Sequence, residues 1–204
     1  MAPELSELEA GSNNASAWES HYREGHAPWD KGAPTPSVSE IIKEPNFGER
    51  ILVPGCGRGH DAAAFARAGY NVMAIDIAET GIADAKKLYP DVAHIFRVAD
   101  LFTLEEQFDC IFEHTCYCAI HPEHRPMYVE SVLRVLKPEG RFFGVLYVTD
   151  EAQEISGPPF RIPRDIILDP FKSMFDIAWR RPPAQSFPSR KGSELLVELI
   201  PRKH

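Results

Sequence analysis

Apolar residues in this chain fall into short runs set between segments of helical period. ILV at 51–53, VMAI at 72–75 and the nearly unbroken FDCIF at 108–112 are bounded by glycine and charged residues. Runs of that length read as strands covered on both faces. The pattern predicts strands at Arg50–Val53, Asn71–Ile75, His94–Val98, Phe108–Glu113 and Arg141–Tyr147. Helices are predicted at Ser37–Lys43, Asp61–Arg67, Glu79–Leu88 and Arg125–Leu136, with Gly69 capping the second and PEG at 138–140 ending the last. Strands that alternate with helices argue an α/β fold, a doubly wound, mostly parallel sheet with helices on both faces. Beyond Tyr147 the pattern changes. GPPF at 157–160 and PRD at 163–165 read as loops before a short helix, and Phe175–Arg180 with Glu194–Ile200 read as a late hairpin at the sheet edge.

The N-terminal end has another character. Residues 1–17 are small and polar and read as a flexible tail, with a short helix at Leu5–Ala10. Residues 18–36, WESHYREGHAPWDKGAPTP, mix Trp18, Tyr22 and Trp29 with His21 and His26. Pro28, Pro34 and Pro36 each remove a backbone donor, so no long regular element is expected there. Trp18 and Trp29 either anchor this arm to the body or form the wall of a pocket.

With 204 residues, 44% of them hydrophobic and 25% charged, the chain is expected to form one domain with its own core. The formal charge of −8 argues against a broad phosphate-binding surface, so no nucleic-acid partner is expected. The four cysteines, Cys56, Cys110, Cys116 and Cys118, form no CxxC pair and read as free thiols of a reducing compartment, with no metal site. HPEH at 121–124 reads as a solvated helix start. The N-terminus is acidic without an apolar leader core, and no run approaches a membrane span, so a soluble, cytoplasmic protein is expected, its oligomeric state open.

The sharpest local signal is ILVPGCGRGHD at 51–61. A strand runs into Gly55, Gly57 and Gly59 and a helix starts at once, which points free N–H groups at whatever lies above the turn. This is the geometry of a nucleotide or cofactor site at the carboxyl end of a parallel sheet. The spacing is GxGxG, not the GxGxxG of dinucleotide sites, and no phosphate-loop lysine follows. Asp76, Asp100 and Glu113 are each expected at the tip of a successive strand. Carboxylates there suit a ligand with ribose hydroxyls, an adenine and a positive centre, which favours S-adenosylmethionine over NAD.

These residues carry a resemblance. WESHYREGHAPWD at 18–30, LVPGCGRGHD at 52–61, AIDIAETGI at 74–82, ADLF at 99–102, the run from Phe108 to Tyr147, GPPF at 157–160 and PSRKGSELL at 188–196 resemble the thiopurine methyltransferase superfamily of class I S-adenosylmethionine-dependent enzymes. The likeness is closer to its thiol and halide methyltransferase branch. The resemblance implies a Rossmann-like sheet of seven strands, the seventh antiparallel, within a catalytic domain at 37–204, and an arm at 18–36 that covers the active site. It implies that the cofactor's amino-acid end lies near Trp18 and Trp29 and over Gly55 and Gly57. Its ribose would meet Asp76 and Ile77, and its adenine would lie by Asp100 and Leu101 with His114 closing the pocket. Ala78 stands where the family often has Ser or Thr, and His114 where it commonly has Arg or Tyr.

The implied reaction is an in-line displacement in which a small thiol, sulfide or halide takes the methyl group. S-methylation of a heterocyclic thiol is the alternative, and a protein that binds the cofactor without catalysis is another. Candidates to assist a thiol are His21, His26, Tyr22, His114 and Tyr147, with Tyr22 favoured as a substrate-orienting group and Tyr147 lining the same pocket.

Overall fold

Strand β1 (Arg50–Pro54) lies in the interior of a sheet, and all of it but Arg50 is buried. The computed structural model describes residues 15–44, 47–151 and 157–203. The helix expected at Leu5–Ala10 lies outside them. The other strands are β2 (Asn71–Asp76), β3 (Phe96–Val98), β4 (Phe108–His114), β5 (Leu136–Tyr147), β6 (Phe175–Arg181) and β7 (Glu194–Pro201). They form one seven-stranded sheet in the order β3-β2-β1-β4-β5-β7-β6. β1 to β5 are parallel, and β7 runs antiparallel to both β5 and β6. The doubly wound sheet and the late hairpin therefore stand as the sequence pattern predicts.

Period-two alternation assigns each side chain to a face. Ile51, Val53, Cys110, Phe112, Phe143 and Val145 pack on one side, against α2 (Val38–Ile41), α3 (His60–Arg67) and α4 (Glu79–Leu88). Leu52, Ile111, Phe142 and Leu146 pack on the other, beneath α5 (Arg125–Val135) and the segment around Phe171. Each such fully buried side chain stabilises the fold by ~1.5–3 kcal/mol.

Some element boundaries differ from the pattern. The arm begins as a helix, α1 (Ala15–Arg23), which takes in the last residues of the expected tail. ASAWESHYR contains no glycine or proline, and the prolines act only from Pro28 on. Trp18 and Tyr22, four apart, then share one face. The start of the predicted third strand is a tight helical turn, Pro90–Ile95, because Pro90 favours the first turn of a helix. PEG at 138–140 does not end α5: the helix stops at Val135 and Leu136 already pairs with Phe108. Lys137–Gly140 instead form an irregular start to β5, where a Cβ on Gly140 would stand 2.9 Å from the Lys137 carbonyl oxygen.

Two features at the strand tips fix the geometry of what lies above. Gly59 begins α3 in the left-handed region at φ +78°, and a Cβ there would lie 2.3 Å from Phe96. Glu113, fully buried, does not face the open end of the sheet. The strand runs on to His114, and Glu113 turns back so that Oε1 accepts the Tyr117 N–H at 2.9 Å and also the Cys116 N–H. Burial pushes its carboxyl up to about 7, against the hydrogen bond from Tyr117, the charge of His114 and the hydrogen bond from Cys116.

Two outcomes follow for stability. Gly59→Ala is expected to cost about 2–5 kcal/mol in urea unfolding, from left-handed backbone plus overpacking on Phe96, whereas Gly69→Ala, with open space around φ +96°, should cost only ~1–2 kcal/mol. Glu113 binds its proton more tightly folded than unfolded, so its contribution is full below about 4.5 and is lost as pH rises through about 7. Melting temperatures of Glu113→Gln, which keeps the acceptor oxygen, should fall less than those of the parent across that window; parallel curves would show that the charge is not the cause.

Candidate functional site

The parallel strands end at a cavity of about 390 Å³. Strand order sorts its wall by charge. Asp100, just past β3, and Asp76, at the tip of β2, stand on one side of Gly55 at the end of β1. His114 at the tip of β4, Tyr147 at the tip of β5 and Arg190 before β7 stand on the other. β7 contributes at this edge because it is antiparallel: its first residue, Glu194, pairs with Tyr147. Gly55 lies where the strand order reverses, the place where open α/β sheets bind ligands.

On the acidic side, the pairing of Pro54 with Ile75 sets the glycine turn beside Asp76. Asp76 Oδ2 accepts the Gly57 N–H and Oδ1 accepts the Ala78 N–H, both at 2.9 Å. Burial raises its pKa, and the N–H groups of Ala78, Gly57 and Ile77 offset part of that rise. A carboxylate offers about four acceptor positions, so this one can still receive ligand hydroxyls. Ile77 and Leu101 add apolar wall, and Asp100 holds its own turn through the Phe102 N–H at 2.9 Å. At Gly55 a Cβ would lie 2.6 Å from Cys116 Sγ, so only glycine leaves this backbone bare toward the cavity. These groups fit a ribose, an adenine and a cationic centre: acceptors for hydroxyl and amino hydrogens, apolar surface for the base, and negative charge nearby.

The arm closes the cavity with rings. Trp18 and Trp29 meet edge to face at 5.3 Å, and Tyr22 meets Trp29 in the same way at 5.8 Å. His21, His26 and Lys31 also line the wall. Polar contacts hold the arm down. Glu19 accepts the Thr80 N–H at 2.9 Å, Asp30 pairs with Arg58 and His60, and Asp61 Oδ1 accepts the Thr35 N–H at 2.7 Å. Tyr22 is buried with its hydroxyl over Gly57. Burial, then the charge of Asp76, push its phenol well above its ordinary value, so it stays protonated and can donate but not take a proton.

The basic side is a chain of contacts. Asp61 Oδ2 accepts from His114 Nδ1 at 2.7 Å. Arg190 Nη1 donates to His114 Nε2 at 2.8 Å and to Thr115 Oγ1 at 3.1 Å, and Nη2 donates to the Trp29 carbonyl at 2.9 Å. Thr115, at φ +55°, is the one non-glycine in the left-handed region among the described residues, a conformation that costs ~1–3 kcal/mol and turns the chain sharply after His114. Burial lowers the proton affinity of His114, but the charge of Asp61 and the contacts with Asp61 and Glu194 outweigh it and push the imidazole up to about 9.

Ten of the expected site residues thus share one cavity: Trp18, Tyr22, Trp29, Gly55, Asp76, Ile77, Asp100, Leu101, His114 and Tyr147. Gly57 stands behind the wall, its N–H engaged by Asp76. His114, expected to close the adenine end, lies across β1 from Asp76 and Asp100 because β4 and β2 flank opposite sides of β1. Glu113 leaves the site, as described above. Cys116 and Cys118, read as buried packing thiols, do line the cavity, and burial holds both as neutral thiols. Pro158 and Pro159 of GPPF line it too. Asp61 and Arg190 went unread. Asp61 looks like the start of a helix, and Arg190 belongs to a basic stretch that reads as a solvated edge, yet it is only 7% exposed. No group of His, Cys, Asp or Glu among the described residues is arranged to hold a metal, and none of their helices is long and apolar enough to cross a membrane.

A family model described as thiopurine S-methyltransferase (TPMT) matches residues 13–186. A probable thiol methyltransferase 2 of Arabidopsis thaliana is 34% identical over 74% of this chain and 69% of its own length. Thiocyanate methyltransferase 1 of the same plant is 37% identical over 71% of this chain and 66% of its own length, slightly under two thirds. Among solved structures, the Burkholderia thailandensis 1,6-didemethyltoxoflavin-N1-methyltransferase with bound S-adenosylhomocysteine superposes with a TM-score of 0.77 at 20% identity, covering 100% of this chain and 93% of that one. That likeness bears on the fold, while the family match bears on the chemistry. Running over most of the chain and taking in both sides of the cavity, that match establishes that the chain belongs to the thiopurine S-methyltransferase family and is an S-adenosylmethionine-dependent methyltransferase.

Proposed function

We propose that this enzyme methylates small soft nucleophiles: alkyl thiols, hydrosulfide, thiocyanate or halide. The observation that carries this is the division of the cavity about Gly55, with carboxylates at the β2 and β3 tips and Arg190, His114 and Lys31 elsewhere on the wall. The names of the two plant relatives agree with it.

When bound, S-adenosylmethionine supplies a methyl group on a sulfonium, which a soft nucleophile displaces in line. In this reading Asp76 receives the ribose hydroxyls, and Gly57 positions Asp76 through its N–H. Ile77 and Leu101 flank the adenine, and Asp100 accepts from its amino group. Gly55 gives bare backbone to the amino-acid end, which Trp18 and Trp29 enclose. Tyr22 and Tyr147 orient the nucleophile, Tyr22 as a donor. Closure by the arm excludes water, which strengthens every charge interaction inside. Ligand cavities run from about 300 to 1,000 Å³, and this one, about 390 Å³, lies near the small end of that range. A small cavity agrees with a compact nucleophile. Free thiols at Cys56, Cys110, Cys116 and Cys118 fit a reducing, cytoplasmic setting.

The test is a product screen with methyl-labelled S-adenosylmethionine against iodide, thiocyanate, hydrosulfide, alkyl thiols and thiopurines. Labelled methyl iodide, methyl thiocyanate or alkyl methyl sulfides are expected; transfer to thiopurines alone would replace this reading with the heterocyclic one. Asp76→Ala should weaken S-adenosylhomocysteine binding ~10–100-fold by calorimetry, as loss of charge-assisted hydrogen bonds requires. Unchanged affinity would remove Asp76 from the cofactor site.

A further inference from the structure

Methyl transfer to an alkyl thiol leaves a proton to place, whereas transfer to a halide or thiocyanate does not. The thiol arrives mostly protonated at neutral pH. Several polar groups of the wall have no room for that proton. Tyr22 is buried and keeps its own. His114 already carries one at any pH below about 9. Both oxygens of Asp61 are engaged, one by His114 and one by the Thr35 N–H. Arg190 only donates.

Beneath the wall lies a carboxyl group with one idle oxygen. Glu113 is fully buried near the end of β4. Its Oε1 caps the following turn by accepting the N–H groups of Cys116 and Tyr117. Its Oε2 has no hydrogen-bond partner among the described residues. Most buried carboxylate oxygens are hydrogen-bonded, because an unpaired one forfeits its hydration. The charged and titratable groups around Glu113 come from four elements. His114 follows it on β4, and Arg190 faces it from the turn before β7, both favouring the carboxylate against burial. Cys116, Tyr117 and Cys118 come from the turn after β4. Tyr128 comes from α5, as does Arg125, whose guanidinium lies 5.5 Å from the Tyr117 ring centre.

Three of these neighbours, Cys116, Cys118 and Tyr128, line the cavity. Burial, and next the charge of Glu113, push the pKa of each upward, so the carboxylate acts on the wall from behind. Tyr128 is fully buried with its ring centre 5.2 Å from that of Tyr117, and its hydroxyl has no hydrogen-bond partner among the described residues. A phenol hydroxyl accepts one hydrogen bond while it donates another. It can take a proton on one side and pass its own on the other. Tyr128 and Glu113 do not bond each other directly, and a single bridging water joins two such groups at little cost.

We propose, resting on the methyl-transfer reading above, that Tyr128 and Glu113 form a proton outlet for thiol substrates, in which the Tyr128 hydroxyl takes the thiol's proton at the cavity wall and Glu113 Oε2 receives one from behind it. The S–H bond breaks, and its electron pair stays on sulfur for attack on the methyl carbon. Tyr128 gains that proton as it releases its own through the bridging water, so the phenol is neutral before and after. The proton ends on Glu113 and returns to solvent by the same path once the methylated product has left. Tyr128 meets the substrate, and Glu113 acts through it. Halides and thiocyanate carry no proton and bypass the outlet.

Glu113 serves in its ionised form, so the thiol reaction is expected to quicken as pH rises through about 7 and to level off above it. Attack by free thiolate alone would keep rising to the thiol's own pKa, about 8.5 or higher. The test compares kcat/KM for an alkyl thiol and for iodide at saturating S-adenosylmethionine, at pH values on both sides of 7 but below about 9, where His114 keeps its charge. The parent should show a break at about 7 with the thiol and none with iodide. Tyr128→Phe keeps the ring, and Glu113→Gln keeps a capping oxygen. Each should abolish the break and lower the thiol-to-iodide ratio of kcat/KM ~10²-fold at neutral pH, the low end for loss of a general base because free thiolate still reacts. Iodide turnover in the same variants shows that the site is still built, and Tyr128→Phe decides the matter where Glu113→Gln does not fold. A break that survives in Tyr128→Phe would overturn the proposal and pass the role to His21 or His26 of the arm. Equal slowing of thiol and iodide would overturn it too, since that is the mark of a structural role. In either case, iodide methylation by the parent leaves the methyl-transfer reading intact.

Discussion

One hydrogen bond joins the glycine turn after β1 to the tip of β2. Asp76 can accept from Gly57 only because β1 and β2 are adjacent, parallel and in a register that ends Pro54 opposite Ile75. The same carboxylate also takes the Ala78 N–H and so sets the start of α4. A shift of one residue would turn every side chain of β2 to the other face and carry Asp76 out of the cavity. Asp76 is nearly buried, so its acceptor oxygens lie in a medium where each contact counts for more than in water. The glycine turn, the tip of β2 and the floor of the cavity therefore stand or fall together.

The opposite side is built on a different principle. It depends on long-range contacts between polar groups, not on register alone. Asp61 comes from α3, His114 from β4, Arg190 from the turn before β7, and Trp29 from the arm. Each is tied to at least one other, so the seating of the arm and the charge on this wall of the cavity depend on one set of contacts. The strained backbone at Thr115 belongs to this arrangement. It is tolerated because Val145 holds the Thr115 N–H and the buried Glu113 caps the turn beyond it.

The free thiols show how context changes a residue's meaning. Cys110 is a core residue of β4 and does nothing but pack. Cys116 and Cys118 face the cavity, yet burial keeps both protonated and Cys118 donates to the Thr115 carbonyl at 3.0 Å. They are soft wall, not nucleophiles.

Much of this was legible in the chain itself. Runs such as FDCIF and VMAI specify strands buried on both faces, because period-two alternation of wholly apolar residues leaves no face for water. The glycines at 55–59 and Asp76 specify a ligand site, because only particular residue types tolerate a bare turn at a strand end. Tertiary structure alone decided what each polar side chain meets. Glu113 and His114 are neighbours in sequence, yet strand alternation sends one into the core as a cap and the other into the cavity. Asp61 and Arg190, 129 residues apart by their numbers, converge on one imidazole. No local propensity encodes that meeting, because the order of strands in the sheet, and the reversal of β7, set which loops share an edge.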